Sequence, residues 1–463
     1  MPARLKYTLL FLLLVASISC QAIHRVTTSA TPYSLKSAEH AIQQASPTLL
    51  PPTLTPTSTP TLFPTPTQAP SQRLAPLNSQ SLLNLRIFLK LWQTVKDNYL
   101  YPDLNGLDWD KVFIQYRQRI ENGLTQEEFY QAMEEMITLL NDDHSFFLSP
   151  EAAKEEDTEF AGQNDYVGIG ILSYPYPERN RIVVVLTFPD SPAEQAGIKP
   201  HDSILEADGV PIFDENGLRR DLLRGPAGTE VVLTAQSPGE ATRQIRLVRK
   251  QIQGAIPVPW TDLESPGGKR IGYLLLSTFI DEKTDDQVAE AMQRLSSSGE
   301  LDGLIIDNRQ NTGGADDIAR QVLSYFTRGS LGHFVDRDGS ERPLTVVGNN
   351  INNSQEIPLV ILVGPNTVSF GEIFSGVLQD VGRAYLIGET TPGNLELLWG
   401  FDFEDGSRVW IAREAFHPLN HPQQNWEDTG IIPNLTVPSN WDEVTLTSDP
   451  AIQAALNHLD ARQ

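Results

Sequence analysis

Cysteine is nearly missing from this chain: Cys20 is the only one in 463 residues. No disulfide can close within it, and no cysteine cluster can hold a metal. Neither a His-Glu-x-x-His helix nor a phosphate-cradling glycine loop occurs, so no metal and no other cofactor is expected. His417 and His421 stand four apart, but Pro418 and Pro422 argue against a helix there and no third ligand accompanies them. Positive charge is also scarce. Lys and Arg number 35 against 59 Asp and Glu, a formal net charge of −24, which argues against nucleic acid or an anionic membrane surface as partner. Lysine stops altogether at Lys283.

Residues 1–20 carry Arg4 and Lys6, an apolar stretch from Leu9 to Ala16, and then small residues up to Cys20. The stretch is too short to span a bilayer as a helix and reads as an export signal. Cys20 sits where a bacterial lipoprotein signal is cut and lipidated, although Ser17 replaces the usual Leu. The expectation is an exported protein, at the cell surface or in the periplasm, touching a membrane only through a lipid on Cys20. Residues 21–78 are a linker whose Pro- and Thr-dense part, as in Pro51-Pro52-Thr53-Leu54-Thr55-Pro56, favours extended polyproline-II geometry.

At Ser79 the pattern turns helical. Leu82, Leu85, Phe88, Leu89 and Trp92 recur at three- and four-residue spacing. A second helix runs from Asp108 to Asn122-Gly123, and a third opens on the capping box Thr125-x-x-Glu128. This region, 79–158, ends in Asp143-His144-Ser145 and the apolar residues after it. Three blocks then follow in order: Tyr166-Val167-Gly168-Ile169-Gly170, Ser191-Pro192-Ala193 through Asp208-Gly209, and Leu223-Arg224-Gly225-Pro226-Ala227-Gly228. Together they resemble a PDZ domain over 159–252, with His201 where a Gly usually precedes the Asp. The resemblance implies a groove that adds a peptide as a strand, with Val167, Gly168, Ile169 and Gly170 capturing its terminal carboxylate.

From 253 to 447 apolar strands alternate with helical patterns, as in Ile271–Leu276, Leu304–Ile306 and Pro358–Val363, which predicts an α/β domain with crossover connections. Thr284-x-x-Gln287 reads as a helix start, and 448–463 as a closing helix. Ser369, in Gly364-Pro365-Asn366-Thr367-Val368-Ser369-Phe370-Gly371-Glu372, follows a strand and opens a helix, where orphan N–H groups favour negative charge.

With the PDZ-like segment before it, this block resembles the carboxyl-terminal processing, or tail-specific, serine peptidases. The resemblance spans roughly 80–440. It implies an α/β catalytic domain of the crotonase-like or ClpP-like β-α superhelix type, with an inserted PDZ domain and an N-terminal helical domain. In that family the serine's general base is a lysine, but here the position twenty-five beyond Ser369 is Asn394, and the family's Gln four further on falls on Leu398. Asn cannot accept a proton. A tricorn-like branch uses a His and a Glu instead, and His144 and Glu427 occupy matching segments, the latter in Glu427-Asp428-Thr429-Gly430-Ile431. The resemblance also makes Asn308 to Gly314 the oxyanion loop, with Gly313 or Gly314 and the N–H of Phe370 as donors. Asp380 matches a position that supports the active conformation. Two functions stay open. One is an endopeptidase that binds free protein C-termini and cuts with Ser369, His144 and Glu427. The other is a non-catalytic descendant that binds peptides as an adaptor.

Overall fold

The chain is described here by a computed structural model covering residues 23–24, 79–142, 144–160, 166–253 and 255–462. The expected signal, Cys20 and nearly all of the linker lie outside the described residues. Four helices come first: α1 (Ser79–Asn98), α2 (Trp109–Glu121), α3 (Gln126–Thr138) and α4 (Pro150–Phe160). Asp108 accepts a hydrogen bond from the Lys111 N–H, and Thr125 and Glu128 close a reciprocal capping box on α3, so both starts match the sequence signals. The apolar stripes meet in one core, where Phe88, Leu91, Phe129 and Met133 pack with Trp410 and Ile411 from the far end of the chain. Strand β1 (Phe146–Leu148) leaves this layer and pairs with the long strand Arg408–Pro418. That pairing carries His144 towards the C-terminal half.

The next unit contains β2 (Tyr166–Gly168), β3 (Ile171–Tyr176), β4 (Arg181–Thr187), the short α5 (Pro192–Gln195), β5 (Ser203–Ala207), β6 (Val210–Pro211), β7 (Glu230–Gln236), β8 (Arg243–Val248) and β9 (Lys250–Ile252). Its main sheet runs β3-β4-β5-β7-β8, with β3 at an edge, while β9 pairs with β2. Strand β4 is apolar at every position from Ile182 to Leu186 because both of its faces are covered. Ile182 and Val184 face this unit's own core, and Val183 and Val185 pack against the domain that follows.

That domain contributes β10 (Trp260–Glu264), β11 (Arg270–Leu275), α6 (Thr284–Ser297), β12 (Gly303–Asp307), α7 (Asp316–Phe326), β13 (Gly329–Asp336), β14 (Glu341–Val346), β15 (Leu359–Val363), α8 (Phe370–Asp380), β16 (Tyr385–Gly388), β17 (Leu397–Asp402), β18 (Arg408–Pro418), α9 (Trp426–Thr429), β19 (Leu435–Thr436) and α10 (Pro450–Ala461). A sheet of order β10-β11-β12-β15-β16-β19 is parallel except for β10. Alternate residues of β15 divide between two cores: Leu359, Ile361 and Val363 face the α6–α8 side, and Val360 and Leu362 face α10. A second sheet, β17-β18-β13-β14, extends β1.

One sequence expectation is corrected here. Thr284 does not cap α6: it lies inside the first turn, and its hydroxyl has no partner among the described residues. Asp281 takes over, accepting the Lys283 N–H on its side chain and the Thr284 N–H on its carbonyl. Gln287 turns away to donate to the Ile256 carbonyl.

Candidate active site

The parallel strands β12 and β15 end side by side, and a crevice at such carboxyl ends is where ligands bind in open α/β sheets. The loops that leave them are tied together. Asn308 donates to the Gly371 carbonyl and to Ser375 Oγ, both at 2.8 Å, and the Thr367 hydroxyl donates to the Asn308 carbonyl. The Val368 N–H donates to the Asn311 carbonyl at 2.9 Å. A Cβ on Gly371 would lie 2.5 Å from that same oxygen, so only glycine lets the two loops touch. Behind them Arg309, buried, bonds Asp307 and Asp449 at 2.6 Å each.

Ser369 is the product of this bracing. It is buried, it is the N-cap of α8, and its φ of 55° and ψ of −127° fall where non-glycine residues seldom go. A serine at a helix start ordinarily uses its hydroxyl as a cap, but Ser369 makes no such bond. Beside it runs Gly313, at φ 91°. A methyl on Gly313 would sit 2.7 Å from Ser369 Cβ, 3.0 Å from the Phe370 nitrogen and 3.1 Å from Ser369 Oγ. The missing side chain is thus the space in front of both the hydroxyl and the first N–H of α8. The Gly313 N–H itself donates to Asn311 Oδ1 at 2.9 Å. Gly314 is a glycine for another reason: a Cβ there would meet the Phe279 backbone at 2.2 Å.

The loop 391–396 links Ser369 to the other expected residues. The Ser369 N–H donates to the Asn394 carbonyl at 2.7 Å. Asn394 N–H and Gly393 N–H donate to the two oxygens of Glu372, at 2.8 and 2.9 Å, and the Thr391 hydroxyl donates to the same carboxylate. One residue on, the Leu395 N–H donates to Glu427 Oε2 at 2.8 Å, while Glu427 Oε1 meets His144 Nε2 at 2.9 Å. Glu396 completes the group: one ligand-type atom from each of His144, Glu396 and Glu427 lies within 4.8 Å of the others. The Tyr101 hydroxyl donates to Glu396 Oε1. The structure therefore brings His144 and Glu427, 283 positions apart, into direct contact and sets them one loop away from Ser369. The Ser369 hydroxyl forms no hydrogen bond with a described residue.

Burial and charge set the protonation here. Burial alone would lower the His144 imidazole, but the charge and hydrogen bond of Glu427, with Glu396 and Asp142 behind it, push it up to about 10. Burial pushes the Glu396 carboxyl up to about 7, against the pull of His144 and with the repulsion of Glu427. Glu372, fully buried, is likewise pushed up to about 7 by desolvation, although Thr391 and two N–H groups favour its charged form.

The remaining expected residues lie elsewhere. Val167 and Gly168 are on β2, paired with Gln251 and Lys250. Ile169 accepts the Ala193 N–H, and Gly170 turns at φ 81°, where a Cβ would strike Ser191. The edge strand β3 begins just beyond and ends at Tyr176, and Asn366, in the turn before Ser369, donates to Gln310 Oε1 at 3.0 Å. Asp380 holds the Asn420 N–H and meets His421 Nδ1 at 2.6 Å, and so anchors a loop on the far side of α8. His417 stacks on His333 instead of joining His421.

Residues 270–437 match peptidase family S41, residues 85–138 the tricorn protease C1 domain, and residues 188–237 a PDZ domain. The carboxyl-terminal-processing protease of Synechocystis sp. is 32% identical over 385 residues, covering 81% of this chain and 86% of the relative. The chain belongs to peptidase family S41. Among other S41 relatives, the carboxy-terminal processing protease CtpB of Bacillus subtilis is 26% identical over 314 residues, covering 66% of this chain and 62% of that protein. The solved photosystem II D1 C-terminal processing protease is 27% identical, with a TM-score of 0.53 over 78% of this chain and 93% of that one. A putative S41 protease from Bacteroides fragilis, at 16% identity and a TM-score of 0.53, shares the fold.

This S41 chain carries Asn394 where the sequence reading expected a lysine, and the backbone of that residue, not its side chain, is bonded to Ser369 and Glu372. Sequence reasoning passed over Glu372, Glu396 and Tyr101. Glu372 had a signal, a carboxylate in the first turn after Ser369. Glu396 had a weaker one, two positions beyond Asn394 on an extended run, and so on the same side. Tyr101 had none.

Proposed function

We propose that the protein is an exported serine endopeptidase, held to a membrane by a lipid on Cys20, that captures free protein C-termini and cleaves upstream of them. The observation that carries this reading is Ser369: a strained, buried helix N-cap whose hydroxyl caps nothing and faces the space left by Gly313. Strain of that kind at a strand-to-helix turn suits a nucleophile whose hydroxyl is kept from capping its own helix. A substrate strand added to the β3 edge would extend the sheet of the PDZ-like unit beside the 166–170 turn.

In this reading Ser369 Oγ attacks the scissile carbonyl and the neutral His144 imidazole takes its proton. Glu427 supports the resulting imidazolium, and the Phe370 N–H with the 313–314 loop faces the oxyanion. The imidazolium then returns the proton to the leaving amine, and water, activated by the same imidazole, releases the acyl group. Because charged neighbours hold His144 protonated, the base form grows as pH rises towards about 10. Labelling of Ser369 by a fluorophosphonate should therefore accelerate from pH 7 to pH 10. It should vanish in Ser369→Ala, and it should slow about 10²–10⁴-fold in His144→Ala. A rate that is flat with pH and equal in His144→Ala rules out this base. A second reading, a peptide-binding adaptor, draws support from the bond His144 makes to Glu427 and the absence of one to Ser369 Oγ. Peptide binding without any labelling of Ser369 would favour it.

A further inference from the structure

The group His144, Glu396 and Glu427 sets two carboxylates against one imidazole, with His144 and Glu396 both buried. Glu396 is only 4% exposed, and its Oε2 is buried without a hydrogen-bond partner among the described residues. A buried carboxylate oxygen left unpaired is costly, and a cation is what removes that cost. The surroundings are built for one. Each carboxylate has one oxygen fixed from behind, Glu396 Oε1 by the Tyr101 hydroxyl and Glu427 Oε2 by the Leu395 N–H. The other oxygen of Glu427 meets His144 Nε2, and that of Glu396 stays unpaired among the described residues, as outer-shell donors leave ligand atoms free at metal centres. One imidazole nitrogen and two carboxylate oxygens are an accepted zinc donor set, with a fourth position for water. Tetrahedral zinc at about 2.0–2.2 Å from each would place its ligands about 3.4 Å apart. The observed 4.8 Å limit is within reach of small side-chain rotations.

We propose that His144, Glu396 and Glu427 bind one Zn²⁺, and that zinc is a reversible inhibitor of this protein. Inhibition rests on the reading of His144 as base: with zinc on Nε2 the ring keeps its one proton on Nδ1, and no lone pair is left to take the Ser369 proton. Zinc enters between Nε2 and Glu427 Oε1 and releases the imidazolium proton to solvent. Removal of zinc restores the pair.

The test is calorimetric titration of the untagged full-length Ser369→Ala protein with zinc sulfate at neutral pH, where no chemistry at Ser369 intervenes. One equivalent should bind per chain. Glu396→Gln should weaken binding more than tenfold, and Tyr101→Phe, which removes only the outer donor, should weaken it about tenfold or more. His417→Ala, which breaks the stacked His333–His417 pair on the surface, should leave it unchanged. No saturable binding, equal affinity in Glu396→Gln and Tyr101→Phe, or loss on His417→Ala overturns the site. In the parent, zinc should slow fluorophosphonate labelling of Ser369, and Tyr101→Phe should need at least tenfold more zinc for the same effect. Full labelling at saturating zinc overturns the inhibition. Stoichiometric zinc binding by a protein whose Ser369 never labels would defeat the peptidase reading and leave the metal site standing.

Discussion

Gly313 occupies the point where a single methyl group would fill the space beside Ser369 Oγ and the Phe370 N–H, the two groups that the proposed mechanism turns to the substrate carbonyl. A Cβ would lie at 3.0 and 3.1 Å from the two atoms that must face the carbonyl, on a residue whose φ of 91° a side chain disfavours. Gly313→Ala should lower kcat about 10²–10³-fold, the size of effect seen when one oxyanion donor is lost. The affinity of a C-terminal peptide for the remote 167–170 loop should be unchanged. Equal kcat in Gly313→Ala would remove the oxyanion role. At this scale the residues of the candidate site were visible unevenly. Ser369, His144 and Glu427 stood out because they sit in recognisable segments. Glu396 and Tyr101 did not, because their relevance depends on a side-chain contact across nearly 300 positions, Tyr101 to Glu396. No local pattern encodes such a contact.

Among the elements, the loop 391–396 has the most to hold. It has no regular structure of its own until β17, and its geometry comes from Glu372, which accepts Thr391 Oγ1, Gly393 N–H and Asn394 N–H. Glu372→Ala strands three donors, those of Thr391 and Asn394 buried and that of Gly393 half-buried. At about 1–3 kcal/mol for each unsatisfied group, partly relieved by water, the loss should be on the order of 3 kcal/mol in urea unfolding. The sign of the pH effect follows from a carboxyl pushed up to about 7 from an ordinary 4.5. The folded state binds the Glu372 proton more tightly, so this contribution is complete below pH 4.5 and fades as pH rises through 7. The parent should lose stability across that window, and Glu372→Ala should lose less. An identical slope in both would contradict this role. The strands of the α/β domain were easy to read because the apolar runs Leu304–Ile306 of β12 and Leu359–Val363 of β15 are covered on both faces. The start of α6 was misread because the capping signal at Thr284 competes with Asp281, whose side chain already serves the turn.

Across the whole molecule, the order of a helical layer, a PDZ-like sheet and an α/β frame was evident from the sequence. How they lock together was not. Trp441 shows why: its indole N–H donates to the Val184 carbonyl, its ring stacks on His201 at 4.1 Å, and the Arg309 guanidinium lies over it at 5.1 Å. One side chain thus joins the PDZ-like unit to the residue that braces the Asn308–Gly314 loop, and His201 is a departure that looked incidental in sequence. The same holds for β1 on β18, which delivers His144 to Glu427 from the opposite end of the chain. The central claim is that this assembly makes Ser369 a working nucleophile without the lysine. Its most direct test is the cleavage rate of an unfolded protein with a free apolar C-terminus, measured for the parent, Ser369→Ala and His144→Ala. The account predicts cleavage by the parent and loss of it in both variants. No cleavage by a parent that still binds the C-terminal peptide would contradict the account and make the protein a recognition module.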